Sequence, residues 1–387
     1  MHANLKHIRA LAGLLLFLLC ASVAGAAGGE YFVYIGTYTR SRGKGIYIFR
    51  FRPATGKVTA LSLAAETPSP SFLAVHPNRK FLYAGNEHEG EDLPGKNSTV
   101  SAFAIDPRTG TLTFLNKVSS RGEGPAHIAV DQTGKALLAA NYRSGSVALL
   151  PIQADGRLGE ATGFDQHHGS GPKPRQEGPH AHGAAFSPDN RFAVVAEHGI
   201  DEVMIYRFDP SKGTLTPNVP PFFKSTPGAA PRHIAFHPNG RILYALNELG
   251  STITVLAYGA AGGTMNQLQE IGTLPPGFTE TNTTAQLQVD RAGRFLYASN
   301  RGSDNIAVFA IDPAKGTLTP VEHVSTQGKT PRDFSLDPTG GYLFAANQNS
   351  DTIVLFRVDA KTGRLTPAGQ VVEHVPEPSC VVFVPVQ

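Results

Sequence analysis

One pattern of short apolar strands and turn signals recurs along most of this chain. Its clearest copy is PRHIAFHPNGRILYALNELGSTITVLAY, at Pro231–Tyr258. Apolar residues alternate with small or polar ones, and Pro-Asn-Gly and Gly-Ser interrupt them, which is typical of consecutive antiparallel strands and not of helices. The unit therefore predicts three strands, which we name a, b and c in chain order.

The unit has five further copies, aligned on the turn between strands a and b: Pro70–Glu87, Pro125–Tyr142, His180–Gly199, Ala285–Gly302 and Pro331–Gln348. The predicted b strands are 47 to 56 residues apart, since they end at Asn86, Asn141, Glu197, Asn247, Asn300 and Asn347. A fourth strand, d, follows most units after a turn of the Gly-Thr-Leu-Thr type. Four antiparallel strands at this spacing are typical of β-propeller blades.

A seventh unit is split between the two ends of the chain. Tyr31–Thr39, Gly45–Phe51 and Lys57–Leu63 match strands b, c and d, whereas Pro378–Val386 resembles a lone strand a. Joining them in one blade would remove two exposed sheet edges. We therefore predict an all-β, seven-bladed β-propeller of four-stranded antiparallel blades over residues 31–387, closed by its terminal strands. The half-units argue against an open solenoid, and the regular repeats argue against a β-sandwich.

The first 26 residues have the pattern of a secretory signal peptide. Lys6 and Arg9 precede an apolar run from Leu11 to Val23, and Ala24-Gly25-Ala26 resembles a cleavage site. The run is short for a transmembrane span, which makes a membrane anchor the less favoured alternative. We expect a secreted, periplasmic protein that is not attached to a membrane after cleavage.

Charge and cysteine content constrain the partners of the mature chain. The net charge of +3 falls to about +1 when Lys6 and Arg9 are removed, which does not indicate a nucleic-acid partner. Cys20 lies in the predicted signal, so Cys380 is left alone and no internal disulfide is expected. The sequence carries no signal for an oligomeric state.

The propeller geometry predicts which side chains meet. Strand a lines the central channel, and the starts of a strands and the ends of b strands face the same mouth. The polar residues at these positions are His127, His182, Arg232, Arg332, Glu87, Asn141, Glu197, Glu248, Arg301 and Gln348. Symmetric pairing about a turn at Gly240 also predicts that Arg232 lies directly opposite Glu248.

One long irregular segment, Asp165–His182, enters the fourth unit. It contains His167, His168, His180 and His182. These histidines make a metal site an alternative, but no Asp, Glu or Cys completes an ordinary ligand spacing, so we predict no metal. We expect a loop over the channel mouth, with Arg175 and Gln176 in contact with substrate. A solvated loop without a binding role is the alternative.

The quoted motifs resemble those of a known family. The run PRH, HPNGR and NELG, with GPHAHGAAFSPDNRF before it and SNRG and PRDFSLDPTG after it, is similar to the seven-bladed lactonase family. That family contains bacterial 6-phosphogluconolactonase and a fungal carboxymuconate cyclase. The resemblance implies a small-molecule lactone substrate and no cofactor. It also implies a site of one His, two Arg and one Glu, whose matching positions are His182, Arg232, Glu248 and Arg301.

The chemistry of lactone opening assigns expected roles to these residues. Arg232 and Arg301 are expected to stabilise an oxyanion or bind an anionic group of the substrate. His182 is expected to be the acid or base, and Glu248 a second base or the group that orients arginine. The further predicted substrate contacts are His180, Arg332, Asn141, Arg175 and Gln176.

The expected function is hydrolysis of a sugar-acid lactone similar to 6-phosphogluconolactone, or of a related lactone. 6-Phosphogluconolactone is a cytosolic intermediate, whereas this chain is predicted to be exported. The resemblance therefore supports lactone chemistry more strongly than it supports 6-phosphogluconolactone as the substrate. The alternatives are a carboxymuconate-type lactonizing cycloisomerase and a non-catalytic propeller that binds a ligand or a protein. The purely structural alternative is an Arg232–Glu248 ion pair that only closes the channel mouth.

Overall fold

The fold was analysed in a computed structural model, which describes residues 29–87 and 98–387. The signal-peptide prediction for residues 1–26 lies outside the described residues. Within the described ranges, the chain forms seven antiparallel sheets, each of them one blade of a propeller. The predicted seven-bladed β-propeller is therefore confirmed. No helix in these two ranges is long and apolar enough to cross a membrane.

The first blade contains strands from both ends of the chain, as predicted. It contains β1 (Tyr31–Thr37), β2 (Gly45–Arg52), β3 (Lys57–Val58), β4 (Ser62–Glu66) and β29 (Pro378–Pro385). Strand β29 pairs antiparallel with β1, so the last strand of the chain is strand a of this blade. The predicted strand d at Lys57–Leu63 is broken in two, because β3 and β4 pair with different parts of β2.

Blades two to four follow in chain order. Blade two contains β5 (Pro70–Val75), β6 (Phe81–Asn86), β7 (Thr99–Ile105) and β8 (Leu112–Ser119). Blade three contains β9 (Pro125–Val130), β10 (Ala136–Asn141), β11 (Ser146–Pro151) and β12 (Gly163–Gln166). Blade four contains β13 (Ala181–Phe186), β14 (Phe192–Glu197), β15 (Glu202–Asp209) and β16 (Thr214–Lys224).

Blades five to seven complete the ring. Blade five contains β17 (Pro231–Phe236), β18 (Ile242–Asn247), β19 (Thr252–Gly259) and β20 (Thr264–Gly272). Blade six contains β21 (Thr283–Val289), β22 (Phe295–Arg301), β23 (Asn305–Ile311) and β24 (Leu318–Ser325). Blade seven contains β25 (Pro331–Leu336), β26 (Tyr342–Asn347), β27 (Thr352–Val358) and β28 (Leu365–Val372). Short 3₁₀ helices occur at Pro174–Gln176 and Gln348–Ser350.

The hydrophobic core lies between adjacent blades, and a repeated hydrogen bond joins them. Tyr244 Oη donates to the carbonyl oxygen of Gly316 over 2.8 Å. Equivalent bonds join Tyr34 to Gly110, Tyr83 to Gly156 and Tyr297 to Gly363. Gly316 has a φ of 73°, and a Cβ there would lie 2.5 Å from Ile242 Cγ1. The glycine of the Gly-Thr-Leu-Thr turn is therefore required both by its backbone conformation and by the close packing of the preceding blade.

The a strands of the seven blades pack side by side around the central channel. In every blade a β-bulge interrupts the pairing of strands a and b near the start of strand a. In blade five, Pro231 pairs with Asn247 but His233 pairs with Leu246, so Arg232 is the extra residue. The same irregularity leaves His182 and Arg332 as the extra residues of blades four and seven. A bulge redirects a side chain, and here it affects three predicted site residues.

The predicted register of Arg232 is corrected by this bulge. Symmetric pairing about the turn at Gly240 placed Arg232 directly opposite Glu248. The pairing instead matches Pro231 with Asn247, and Arg232 has no partner in the register. Two offsets cause the difference. The regular part of the pairing matches Phe236 with Leu243, so the turn centres between Asn239 and Gly240, and the bulge adds one further residue.

Candidate active site

Two positions in each blade supply side chains to one mouth of the channel. The first is the bulged residue of strand a, which is His182, Arg232 or Arg332 in three of the blades. The second is the residue that follows the polar residue ending strand b, as Glu248 follows Asn247. With loop residues they enclose a cavity of about 220 Å³, lined by Tyr38, Arg40, Glu87, Tyr142, Arg175, His182, Arg232, Glu248, Arg301, Arg332 and Gln348.

Glu248 is the centre of the charged cluster in this cavity. Its Oε2 accepts a hydrogen bond from Arg232 Nη1 over 2.8 Å. Its Oε1 accepts one from Arg175 Nη1 over 2.7 Å and lies 3.2 Å from Arg301 Nη2. Burial alone would raise the pKa of Glu248, but the Arg301 and Arg232 guanidinium groups outweigh it and hold that pKa well below its ordinary value. Glu248 is therefore an ionised carboxylate shared by three arginines.

The two buried arginines are also anchored by the backbone of blade six. Arg232 Nε donates to the carbonyl oxygen of Ala285 over 2.8 Å. Arg301 Nη2 donates to the carbonyl oxygen of Thr284 over 2.8 Å. Each guanidinium is thus held by a backbone carbonyl and by Glu248. This arrangement gives two preorganised cationic donors at the channel mouth.

His182 lies against Arg232 at the start of β13. Its Nε2 contacts Arg232 Nη1, and because a guanidinium only donates, that nitrogen carries the lone pair. Burial and the neighbouring Arg232 lower the pKa of His182 well below its ordinary value, so its imidazole is neutral at pH 7. The following residue, Gly183, permits the close approach, because a Cβ there would lie 2.4 Å from the Arg232 carbonyl oxygen.

The sequence prediction missed Tyr38, Arg40 and Tyr142, which line the cavity, and His198, which lies against Glu248. His198 Nε2 lies 3.9 Å from Glu248 Oε1, and burial lowers the pKa of His198 to about 4. The hydroxyl of Tyr142 accepts a hydrogen bond from Arg175 Nη2 over 3.2 Å. Both directly follow the strand ends named in the prediction, Asn141 and Glu197. The sequence did contain a signal for Tyr142 and His198, because Glu248 and Arg301 likewise come one residue after the asparagine that ends a b strand.

Three predicted substrate contacts support the cavity wall instead of lining it. Asn141 Nδ2 donates over 3.0 Å to the carbonyl oxygen of Ser120, which directly follows the last strand of blade two. Gln176 Nε2 donates to the carbonyl oxygen of His198 over 2.8 Å and is buried. His180 stacks on the Tyr142 ring, with 4.6 Å between ring centroids. In contrast, the structure brings the predicted contacts Arg175 and Arg332 to the cavity.

The histidines of the segment 165–182 have separate partners. His167 Nδ1 contacts Glu197 Oε2, and His167 Nε2 lies 2.8 Å from Tyr206 Oη. His168 is exposed, whereas His182 belongs to the cavity. Across residues 29–87 and 98–387, no three or more His, Cys, Asp or Glu side chains are grouped so that they could hold a metal ion.

The opposite side of the cavity contains a second pair of opposite charges. Arg332 Nη2 lies 3.8 Å from Glu87 Oε2, and its guanidinium lies over the Tyr38 ring at 5.0 Å from the centroid. The Tyr38 hydroxyl donates to Glu87 Oε2 over 2.8 Å. Arg332 is thus directed into the cavity by both a carboxylate and an aromatic face.

A family model for the seven-bladed β-propeller lactonases matches residues 32–383 of this chain. The chain belongs to that lactonase family. Its similarity to a 6-phosphogluconolactonase of Bacillus subtilis is 39% identity over 305 residues, covering 79% of this chain and 84% of that protein. A 6-phosphogluconolactonase of Formosa agariphila is 32% identical over 307 residues, covering 78% of this chain and 85% of that protein.

Solved structures resemble this lactonase-family protein over the whole propeller. A periplasmic gluconolactonase of Pseudomonas aeruginosa superposes with a TM-score of 0.88 at 34% identity. The match covers 92% of this chain and 100% of that one. The overall fold is therefore shared with a protein named as a gluconolactonase.

The cavity of this lactonase-family protein carries an excess of positive charge. Five arginines and two glutamates line it. Arginine presents a planar set of donors that matches carboxylate and phosphate groups. The cavity therefore favours a ligand that is anionic or that becomes anionic during reaction.

Proposed function

We propose that this protein hydrolyses a sugar-acid lactone of the gluconolactone type. The observation that carries the proposal is the neutral imidazole of His182 beside Arg232, with Arg232 and Arg301 both held by the ionised Glu248. The relatives named as a 6-phosphogluconolactonase and a periplasmic gluconolactonase support the same substrate class.

Arg232 and Arg301 supply the stabilisation of the oxyanion. Attack of water on the lactone carbonyl moves negative charge to the carbonyl oxygen. Two fixed guanidinium groups meet this charge without reorganisation, which is the most effective form of electrostatic catalysis. Glu248 is a poor base because its pKa is held low, so its role is to orient the arginines.

His182 moves the proton. Its neutral imidazole accepts a proton at Nε2 from the attacking water as the new C–O bond forms, once that water replaces Arg232 Nη1 as the donor to Nε2. Arg232 keeps its bonds to Glu248 and Ala285. The resulting imidazolium then protonates the ring oxygen as the ring C–O bond breaks. The product is the open-chain hydroxy acid, and His182 returns to its neutral state. The negative charge of the tetrahedral intermediate raises the proton affinity of the imidazole during this step.

Export of the protein would decide whether gluconolactone or its 6-phosphate is the substrate. The sequence of residues 1–26 predicts a secreted, periplasmic protein, and phosphorylated gluconolactone is a cytosolic intermediate. We therefore infer that the unphosphorylated lactone is the substrate. A carboxymuconate-type cyclisation is the second candidate, because a cavity lined by five arginines also suits several carboxylates.

The test is hydrolysis of four compounds by the mature protein: gluconolactone, its 6-phosphate, a muconolactone and a simple aliphatic lactone. Acid release is followed at constant pH, and spontaneous opening is subtracted. We expect turnover of gluconolactone and its loss in His182→Ala and Arg232→Ala. Ser71→Ala is the matched control, because Ser71 is the bulged residue of blade two and does not line the cavity. Folded protein that opens none of the four lactones would contradict the proposal and favour a binding propeller.

A further inference from the structure

A second layer of side chains crosses the channel one residue deeper than the bulges. It consists of the strand-a residues that follow the bulge in each blade, among them His127, His233, Gln286 and Asp333. Gln286 Nε2 donates to Asp333 Oδ1 over 2.6 Å, and Gln286 Oε1 lies 2.8 Å from His233 Nδ1. The His233 ring is next to that of His182, with 5.2 Å between centroids. A hydrogen-bonded chain therefore extends from Asp333 to the neighbour of the candidate acid–base residue.

The partners of Gln286 determine the tautomer of His233. Gln286 Oε1 also accepts the backbone N–H of Leu287 over 2.9 Å, so the orientation of the amide is fixed. His233 Nδ1 must then donate to that oxygen, and His233 Nε2 must carry the lone pair. Within the described residues, His233 Nε2 is buried and has no hydrogen-bond partner.

His182 presents the complementary group. Its Nε2 accepts from Arg232, so its Nδ1 carries the hydrogen. Nδ1 of His182 is likewise buried without a partner in the part of the chain that the structure describes. Two neighbouring imidazoles thus have a buried donor and a buried acceptor unpaired. Leaving such groups unmatched is unfavourable, and because the two nitrogens make no hydrogen bond to each other, one bridging water would satisfy both.

His127 adds a second donor to the same region. Its Nδ1 accepts the backbone N–H of Ala184 over 3.3 Å, so its Nε2 carries the hydrogen. Its ring centroid lies 5.0 Å from that of His233 and 3.9 Å from that of Phe72. A water that accepts from His127 and His182 and donates to His233 would have three partners, which is typical of buried structural water.

We propose that His233, held by Gln286 and Asp333, is a positioning residue that, together with Arg232, keeps His182 in the Nδ1–H tautomer. The contact between them passes through one water in the channel. Its consequence is that His182 Nε2 keeps its lone pair on the side of Arg232, as the proposed proton transfer requires. The consequence for catalysis rests on the proposed function, whereas the tautomer of His182 does not. In a neutral histidine, the hydrogen bond made by one ring nitrogen determines which of the two nitrogens carries the proton.

The first test measures the tautomer itself, with no substrate present. The protein is labelled with ¹⁵N-histidine, and the ring signals of His182 are assigned from their absence in His182→Asn. We expect a protonated Nδ1 and an unprotonated Nε2 in the wild type. His233→Phe retains a ring but removes the acceptor, so Arg232 alone selects the tautomer and the population of the Nδ1–H form should fall. His233→Gln restores an acceptor oxygen and should restore that form.

The second test measures turnover of gluconolactone. We expect His233→Phe to lower kcat by about tenfold or more with KM changed less than about twofold, since only proton transfer is impaired. His233→Gln should recover most of that loss. The control is His237→Phe, because His237 is a buried histidine at the other end of β17 that contacts the Gly293 carbonyl oxygen over 2.8 Å. It should lower the melting temperature without lowering kcat.

The outcomes separate the two proposals. An Nε2–H tautomer of His182 in the wild type, or one that does not respond to His233→Phe, overturns the positioning role even if lactones are hydrolysed. A kcat that follows the melting temperature across His233→Phe, His233→Gln and His237→Phe also overturns it. Absence of lactone hydrolysis with the expected tautomer change overturns the proposed function and leaves the role of His233 standing.

Discussion

At the scale of single residues, one repeat position serves either structure or the candidate site, depending on its side chain. The asparagine that ends strand b makes structural hydrogen bonds, as Asn247 Nδ2 does to Thr252 Oγ1 over 2.9 Å. The residue after it reaches the channel mouth, as Glu248 does. The bulged position is Ser71 in blade two and Arg232 in blade five. The same backbone position therefore carries an unreactive side chain in one blade and a candidate site residue in another.

The first prediction concerns the carboxylate that three arginines share. We expect Glu248→Gln to lower kcat/KM by about 100-fold, because the arginines lose their common anion and move apart. Breaking a buried ion pair should also lower the free energy of unfolding by about 3 kcal/mol. Steady-state kinetics and thermal melting measure both effects. Glu202→Gln is the control, since the side chain of Glu202 meets Lys224 at the surface over 3.2 Å and should contribute little. Wild-type kcat/KM in Glu248→Gln would refute the orienting role.

The second prediction concerns the effect of pH on stability through Asp333. Burial raises the pKa of Asp333 from 3.8 to about 7, although Gln286 and the Val381 N–H oppose this. Between these values the folded chain keeps a proton that the unfolded chain has released. The free energy of unfolding therefore falls as pH rises through this window, by at most about 4 kcal/mol.

Denaturant unfolding of the wild type and Asp333→Asn at about pH 5 and about pH 8 tests this second prediction. The variant lacks the titration, so its stability relative to the wild type should be higher at the upper pH. The comparison cancels any hydrogen bond that the substitution removes at both pH values. The same difference between the two proteins at both pH values would show that Asp333 titrates normally.

At the scale of the elements, the bulge and the packing of neighbouring strands act together. The bulges of β13 and β17 direct His182 and Arg232 to the same mouth. The two strands pack side by side, and Gly183 lies where a side chain would strike the Arg232 backbone. The contact between His182 and Arg232 thus depends on the spacing of two strands that belong to different blades.

The third prediction is that Gly183→Ala separates these strands. The new Cβ would lie 2.4 Å from the Arg232 carbonyl oxygen and 2.9 Å from His233 Cα. We expect the free energy of unfolding to fall by about 1–3 kcal/mol and kcat/KM to fall by about tenfold. Gly272→Ala is the matched control, because Gly272 ends β20 with no atom within 4 Å of a built Cβ. Equal activity in the two variants would show that the spacing is not critical.

At the scale of the whole molecule, the ring depends on closure by its last strand. Cys380 and Val384 of β29 join the core between blades one and two, whereas Val381 joins the core between blades one and seven. Strand β29 also pairs with β1 along most of its length. Its removal would open the channel and expose apolar faces on two blades.

The fourth prediction is that a chain truncated before Pro378 loses cooperative unfolding. We expect aggregation or a broad melting transition, because two interblade cores lose side chains together. Circular dichroism melting and size-exclusion chromatography report this. A chain that lacks only Gln387, which is exposed beyond β29, should melt as the full chain does. A sharp transition in the longer truncation would show that the ring tolerates an open blade.

Local patterns sufficed to predict most of the architecture. Alternation in β17, the mostly apolar run of β18 and the Pro-Asn-Gly turn between them are short-range signals for two paired strands. The half-units at Tyr31–Thr39 and Pro378–Val386 predicted the closing blade because each lacked what the other supplied. The four residue types of the family resemblance, at His182, Arg232, Glu248 and Arg301, were also read from sequence, and they all line one cavity.

Tertiary structure alone decided which neighbours of those residues reach the cavity. A bulge adds one residue without a local sequence signal, so Arg232 lies out of the predicted register. Strand b directs Tyr142 and His198 to the mouth, whereas Asn141 and Glu197, which the alignment selected, stay within the wall. Alternation along a strand determines which residues are buried. The strands of other blades determine which side chains each of these residues contacts in the channel. How closely those strands approach depends on packing across the whole ring.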